Sequence, residues 1–230
     1  MAEPRGDIDA LVGAYARRTR RWHRLLSPPL PLVPNPRESR LPHATHGPCL
    51  MLGGAGQPPP PHFVNVDITA MPGVHVVADG EHLPFANETF EMIECDAVLE
   101  HVVQPARAIA EVQRVLKCGG LIHVVVPFNH PFHAYPHDYH RWTLSALRID
   151  LAPLEVIDAG VRTGPAATWL LYTLQFTKLL VPGRVGKALG AAIGWVLWPV
   201  RYVDYWFYRT DRAHVLANSI YVLARKSGQG

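Results

Sequence analysis

Three aspartates frame the chemistry open to this chain. Asp67, Asp79 and Asp96 each close a short apolar run, in FVNVD, VHVVAD and FEMIECD. A carboxylate at a strand end presents two acceptor oxygens, which match the two vicinal hydroxyls of a ribose, and Asp67 suits that task. Asp79 stands where a side chain could accept from an exocyclic amine. Ahead of them, Leu52 runs into Gly53-Gly54-Ala55-Gly56, where missing side chains let backbone approach a ligand closely. Any one acid after a strand is commonly a cap or a turn residue. Three in register, at the edge where an open parallel sheet holds ligands, point to a nucleotide-like molecule.

A second set lies in the segment 128–142, which carries His130, His133, Tyr135, His137, Asp138, Tyr139, His140 and Arg141. His137 or His140 could serve as a general base, with Arg141 orienting an anionic acceptor. In the plainer alternative, Asp138 and Arg141 pair with each other and hold the loop. The closely spaced histidines do not predict a metal, because Pro131 and Pro136 break any helix that would align them. Beyond Asp138 there is no carboxylate or cysteine at familiar zinc spacing.

The elements that must position these groups follow from apolar periodicity. Strands are expected at 49–52, 63–67, 74–78, 90–95, 121–126, 155–161 and 218–225. A helix should begin after Gln104-Pro105, with an apolar stripe of Ala108, Ile109, Val112, Val115 and Leu116, and stop at Gly119-Gly120. A shorter helix covers 144–151. Between the first two strands the bridge Gln57-Pro58-Pro59-Pro60-Pro61-His62 leaves no room for the usual crossover helix. An insertion at 165–214 holds two apolar helical stretches, 166–180 and 187–200, then an aromatic run from Tyr202 to Tyr208. Neither stretch reaches the roughly 20 apolar residues of a bilayer span. Three readings of the insertion stay open: a lid over an acceptor pocket, an extra packing layer, and a membrane-surface contact.

The chain of 230 residues divides into a lead-in, 1–48, and a main domain, 49–230. The lead-in carries a helical pattern at 8–26 with Arg17, Arg18, Arg20, Arg21 and Arg24 on one face, then a proline-rich stretch. A net charge of +3 does not argue for nucleic acid. Three cysteines without a C-x-x-C pair suit a reducing compartment, and the first residues contain no apolar leader. The expected location is cytoplasmic, with the inner membrane face as an alternative surface contact.

Three stretches then carry a family likeness: Leu83-Pro84-Phe85-Ala86-Asn87-Glu88-Thr89-Phe90, Val98-Leu99-Glu100-His101-Val102, and Glu111 to Gly120 in EVQRVLKCGG. Together they resemble the core of class I S-adenosylmethionine-dependent methyltransferases of the type-11 group. The resemblance implies an α/β fold with a Rossmann-like, mostly parallel seven-stranded sheet whose last strand is antiparallel. It also implies S-adenosylmethionine as cofactor. Gly53, Gly54 and Gly56 would line its methionine part, Asp67 its ribose, and Asp79 with Gly80 its adenine, while Asp96 would lie near the methyl donor. Glu100-His101 would shape the loop after the fourth strand. The YPHDYHRWT stretch is similar to a loop that closes over the site in a subset of relatives. The implied activity is methyl transfer to a small-molecule or glycan- or lipid-linked acceptor. Two departures stand out: no acidic residue precedes the glycine loop, and no helix follows it. They keep open a second reading, a non-catalytic binding or scaffold protein built on this fold.

Overall fold

A computed structural model describes residues 32–43, 45–55 and 58–228. The helix expected at 8–26 and the glycine at Gly56 lie outside the described residues. The chain divides into two compact units. One comprises Arg40–Phe128, His137–Gly160 and Ile220–Gly230; the other comprises Met1–Ser39, Asn129–Pro136 and Val161–Ser219.

The first unit is built on the sheet. Its strands are β1 (Cys49–Leu52), β2 (Phe63–Asp67), β3 (Val76–Val77), β4 (Phe90–Asp96), β5 (Leu116–Pro127), β6 (Glu155–Thr163) and β7 (Ser219–Arg225), in spatial order β3-β2-β1-β4-β5-β7-β6. The pairs β1–β2, β1–β4, β2–β3 and β4–β5 are parallel. The reciprocal amide bonds between Gly119–Gly120 and Lys226 mark β5–β7 as antiparallel. The central strands are buried on both faces, as a parallel sheet requires, and Leu50, Met92, Ile93, Ile122 and Val124 form its interior.

Helix α1 (Pro105–Val115) starts as its sequence predicts, with Pro105 in the first turn and Ala108, Ile109, Val112 and Val115 buried. Its end differs from expectation. Leu116 turns to an extended conformation and opens β5, so Gly119-Gly120 lie inside the strand and not at the helix stop. They sit where β4 and β5 shift register, between Phe90 and Met92, and Gly119 adopts φ +77° there. The third strand is also shorter than 74–78, because β2 pairs only with Val76 and Val77. Residues 53–62 contain no helix among the described positions, as the proline bridge implies. Helix α2 (Leu144–Asp150) is capped by the Thr143 hydroxyl, which accepts from the Ala146 amide.

The second unit is helical. Its elements are α3 (Pro165–Leu180), α4 (Gly183–Leu197), a 3-10 turn Trp198–Val203, α5 (Asp204–Phe207) and a further 3-10 turn Ala213–Leu216. Helices α3 and α4 pack on one another, and α4 turns Gly186, Gly190 and Gly194 inward, at the i, i+4, i+8 spacing of one face. The buried Asp204 carboxylate anchors the start of α3 by accepting from the amides of Ala166, at 2.8 Å, and Ala167, at 3.0 Å. Burial holds that carboxyl above the ordinary aspartate value although the amides pull the other way. Part of the proline-rich lead-in joins this unit: Pro34 bridges to Thr163, Val33 accepts from the Tyr208 hydroxyl at 2.6 Å, and buried Glu38 pairs with Arg162.

Candidate cofactor site at the carboxyl edge of the sheet

The carboxyl ends of β3, β2, β1 and β4 are neighbours, so the sheet brings Asp79, Asp67, Gly53 and Asp96 onto one edge in that order. At this edge the chain turns sharply at Gly53–Ala55. Gly53 has φ +71°, and a side chain on it would overlap Val98 of the Val98–Val102 motif. A side chain on Gly54 would run into Met51 and Asn65. Ala55 follows at φ +48°, unusual for a residue with a Cβ.

Two side chains of β2 hold Ala55 in that conformation. The Asp67 carboxylate accepts from the Ala55 amide at 3.0 Å, and the buried Asn65 amide donates to the Ala55 carbonyl at 3.0 Å. Asn65 also donates to the Gly73 carbonyl at 2.9 Å, which ties the loop before β3 to the same point. Residues two apart on a strand face the same way, which is why Asn65 and Asp67 reach one peptide. The other Asp67 oxygen accepts from the Thr69 amide at 2.9 Å. Each carboxylate oxygen keeps a second lone pair, so Asp67 retains acceptor capacity for a diol. Periodicity gave no sign of Asn65; its only mark in the sequence is an amide side chain at a buried strand position.

Asp79 is exposed and accepts from the Glu81 amide at 2.9 Å, an aspartate turn that shapes the loop while leaving the other carboxylate oxygen at the surface. Gly80 meets only ordinary contact with Leu52. The loop continues into the Leu83–Phe90 motif, and α1 clamps it there. Glu111 accepts from the Leu83 amide at 2.8 Å; Arg114 donates to the carbonyls of Leu83, at 3.0 Å, and Phe85, at 2.8 Å. Arg114 and Glu111 also pair, and that partner holds the Glu111 carboxyl below the ordinary glutamate value. Two of the three recognised motifs are therefore one mechanical unit. Asp96 ends β4 exposed, followed by Ala97 at φ +56°.

His137 and His140 belong to the same unit as this edge. The His137 carbonyl is held by His101 Nδ1 at 2.6 Å, and the Tyr139 amide donates to the Glu100 carbonyl at 2.7 Å. Glu100-His101 thus braces the segment that carries the candidate bases. His140 is half-buried, and its Nε2 is shielded from solvent with no hydrogen-bond partner found among the described residues. Arg141 forms a two-pronged pair with the buried Asp138 carboxylate, one contact at 2.7 Å, and also donates to the His140 carbonyl. The guanidinium is committed to holding the loop, as in the plainer of the two expectations for it. His130 and His133 lie in the helical unit, where His130 meets Asn218 at 2.9 Å.

A different histidine cluster occurs on the sheet. Glu94 accepts from His43 at 2.9 Å and from His123 at 2.8 Å, with the two rings edge to face at 4.9 Å. Burial works against the Glu94 charge, but the hydrogen bonds from His123 and His43 outweigh it and hold the carboxyl below the ordinary glutamate value. These residues come from three separate segments, so sequence spacing could not join them.

Comparison with known proteins agrees with this geometry. Residues 60–124 match the model of the methyltransferase domain family. The chain is 29% identical over 146 residues to the demethylmenaquinone methyltransferase of Renibacterium salmoninarum, covering 56% of this chain and 57% of that protein. It is 46% identical over 59 residues to the corresponding enzyme of Thermobifida fusca, a quarter of each chain. The chain therefore spans from about a quarter to somewhat over half of the length of these relatives. Among solved structures, a chain of the complex between the Haloferax volcanii Trm112 methyltransferase activator and its methyltransferase superposes with a TM-score of 0.54 at 14% identity, covering 99% of both chains. The [4+2]-cyclase SpnF superposes with a TM-score of 0.51 at 20% identity, covering 80% of this chain and 76% of its own. The strand order, the clamped motif loops and the matched segment agree: the fold is that of the methyltransferases it superposes on, and its residues 60–124 are similar to the methyltransferase domain family.

Proposed function

We propose that this protein is an S-adenosylmethionine-dependent methyltransferase acting on a small-molecule acceptor, apolar or lipid- or glycan-linked. The observation that carries the reading is the Gly53–Ala55 turn, fixed at the Ala55 amide by Asp67 and at the Ala55 carbonyl by Asn65 at the carboxyl edge. This turn supports cofactor binding without the missing crossover helix, because two β2 side chains do the positioning that a helix start would do. The residues present fit the cofactor: small backbone at Gly53 and Gly54 for its amino-acid end, Asp67 for the ribose hydroxyls, and Asp79 with Gly80 at the adenine side. When bound, S-adenosylmethionine supplies a methyl group already activated by a sulfonium.

What remains for the protein is alignment and exclusion of water. An oxygen acceptor also needs a proton removed, and His140 suits that role better than His137. Its shielded Nε2 has no hydrogen-bond partner among the described residues, whereas the His137 backbone serves as a fixing point for His101. Arg141 and Asp138 hold the segment carrying His140 in place. The partial similarity to demethylmenaquinone methyltransferases favours an apolar acceptor. Incubation with isotopically labelled S-adenosylmethionine and a panel of quinols, phenols and lipid extracts tests this. Label in a small organic product supports the reading, and absence of cofactor binding would turn it toward the scaffold alternative.

A further inference from the structure

The helical unit presents apolar side chains outward that its own packing does not use. On α3, Trp169, Tyr172, Phe176 and Leu179 recur at helical spacing and are 50%, 50%, 62% and 80% exposed. On α4, Val185, Leu189 and Val196 form a similar exposed face, distinct from the inward glycines. The turn between the helices, at Gly183 with φ +77°, forms the tip of the hairpin. Leu179, Leu180 and Val185 stand there in water. A monomer rarely leaves such a continuous surface uncovered.

Charge says what covers it. The segment 165–214 carries six basic residues, Lys178, Arg184, Lys187, Arg201, Arg209 and Arg212, against two acidic ones, and of these Asp204 is buried as the cap of α3. Lys178, Arg184 and Lys187 bracket the apolar tip. Lys178 lies on the side of α3 away from Trp169 and Phe176, and Lys187 lies opposite the Leu189 face of α4. Near the other end, Arg201 sits 5.1 Å from the Trp198 ring and 4.9 Å from the Tyr202 ring, with Trp206 exposed beside them. Apolar tip, basic collar and outlying tryptophan and tyrosine follow the depth profile of a bilayer interface. With 16 and 15 residues, α3 and α4 are too short to cross, and no described helix is long and apolar enough to do so.

We infer that the α3–α4 hairpin docks in the plane of an anionic lipid surface, tip inserted and basic collar at the phosphates. This inference stands independently of methyl transfer, since it uses no residue of the cofactor edge.

The test is flotation of the full chain with phosphatidylcholine vesicles and with vesicles of phosphatidylcholine and phosphatidylglycerol in equal parts. The chain should float with the anionic vesicles, float weakly with the neutral ones, and be released by raised salt. A Trp169→Ser, Phe176→Ser, Val196→Ser variant should lose at least roughly tenfold in partitioning, because apolar burial scales with the area removed. Its unfolding transition and its affinity for S-adenosylhomocysteine should stay unchanged. Quenching of tryptophan fluorescence by brominated lipid, lost on Trp206→Phe together with Trp195→Phe, would place the insertion in this unit. Two results would overturn the inference. One is undiminished flotation of the triple variant, which would move the contact to another part of the chain. The other is a stable dimer by analytical ultracentrifugation that the same substitutions dissociate, which would make the face an interface between copies.

Discussion

Asn65 and Asp67 illustrate what one strand face can do when an expected helix is missing. The Asp67 carboxylate accepts from the Ala55 and Thr69 amides, and in the proposed function its remaining lone pairs would serve a diol. Asp67→Ala should abolish binding of S-adenosylhomocysteine. Asn65 is an indirect contributor, because its buried amide bonds the loop backbone. Removing the hydrogen bonds to Ala55 and Gly73 by Asn65→Ala should cost about 1–3 kcal/mol of stability and weaken cofactor binding while leaving the acceptor KM unchanged. Denaturant unfolding and titration of the same preparation read both effects; an Asn65→Ala protein with wild-type affinity would show that the turn holds itself. Of these two residues only Asp67 was legible in the sequence. An acid at a strand end has a pattern, whereas a buried asparagine beneath a loop is visible only once the loop is placed.

At the scale of elements, the recognised motifs turn out to be mechanical as much as chemical. Glu111 and Arg114 of α1 clamp the Leu83–Phe85 backbone, so Arg114→Met should loosen that loop and cost about 1–3 kcal/mol. Faster amide exchange at Leu83 and Phe85 is the readout. Glu94 and Glu111 both have carboxyls held below their ordinary values. Such groups add stability above the unfolded-state value and lose it as pH falls through the folded one. The melting temperature should therefore fall on acidification below the ordinary glutamate value of 4.5, with a shallower slope in Glu94→Gln. An identical slope would contradict the role given to the His43–Glu94–His123 cluster. The positions of β1, β2, β4 and α1 were readable from apolar periodicity and from Pro105. The end of α1 was not. Gly119-Gly120 looks like a helix stop, but the same glycines let β5 absorb the register shift against β4, a demand made by the partner strand.

For the whole molecule, the sheet order carries the fold and the helical unit carries the departure from it. The family likeness gave the mixed seven-stranded sheet, because its motifs lie at the strand ends that the topology brings together. The insertion had no motif, and periodicity left a lid, a packing layer and a membrane contact open; what the structure adds is which side chains of α3 and α4 face outward. The cap at Asp204 joins its two ends locally, and Asp204→Ala should cost about 1–2 kcal/mol by freeing the start of α3, measurable as an early phase in thermal unfolding. The central claim, however, rests on the cofactor edge. Calorimetric titration of the full chain with S-adenosylhomocysteine tests it most directly. The account predicts saturable one-to-one binding that Asp67→Ala eliminates, and the absence of heat at high micromolar ligand, or binding untouched by that substitution, would contradict it.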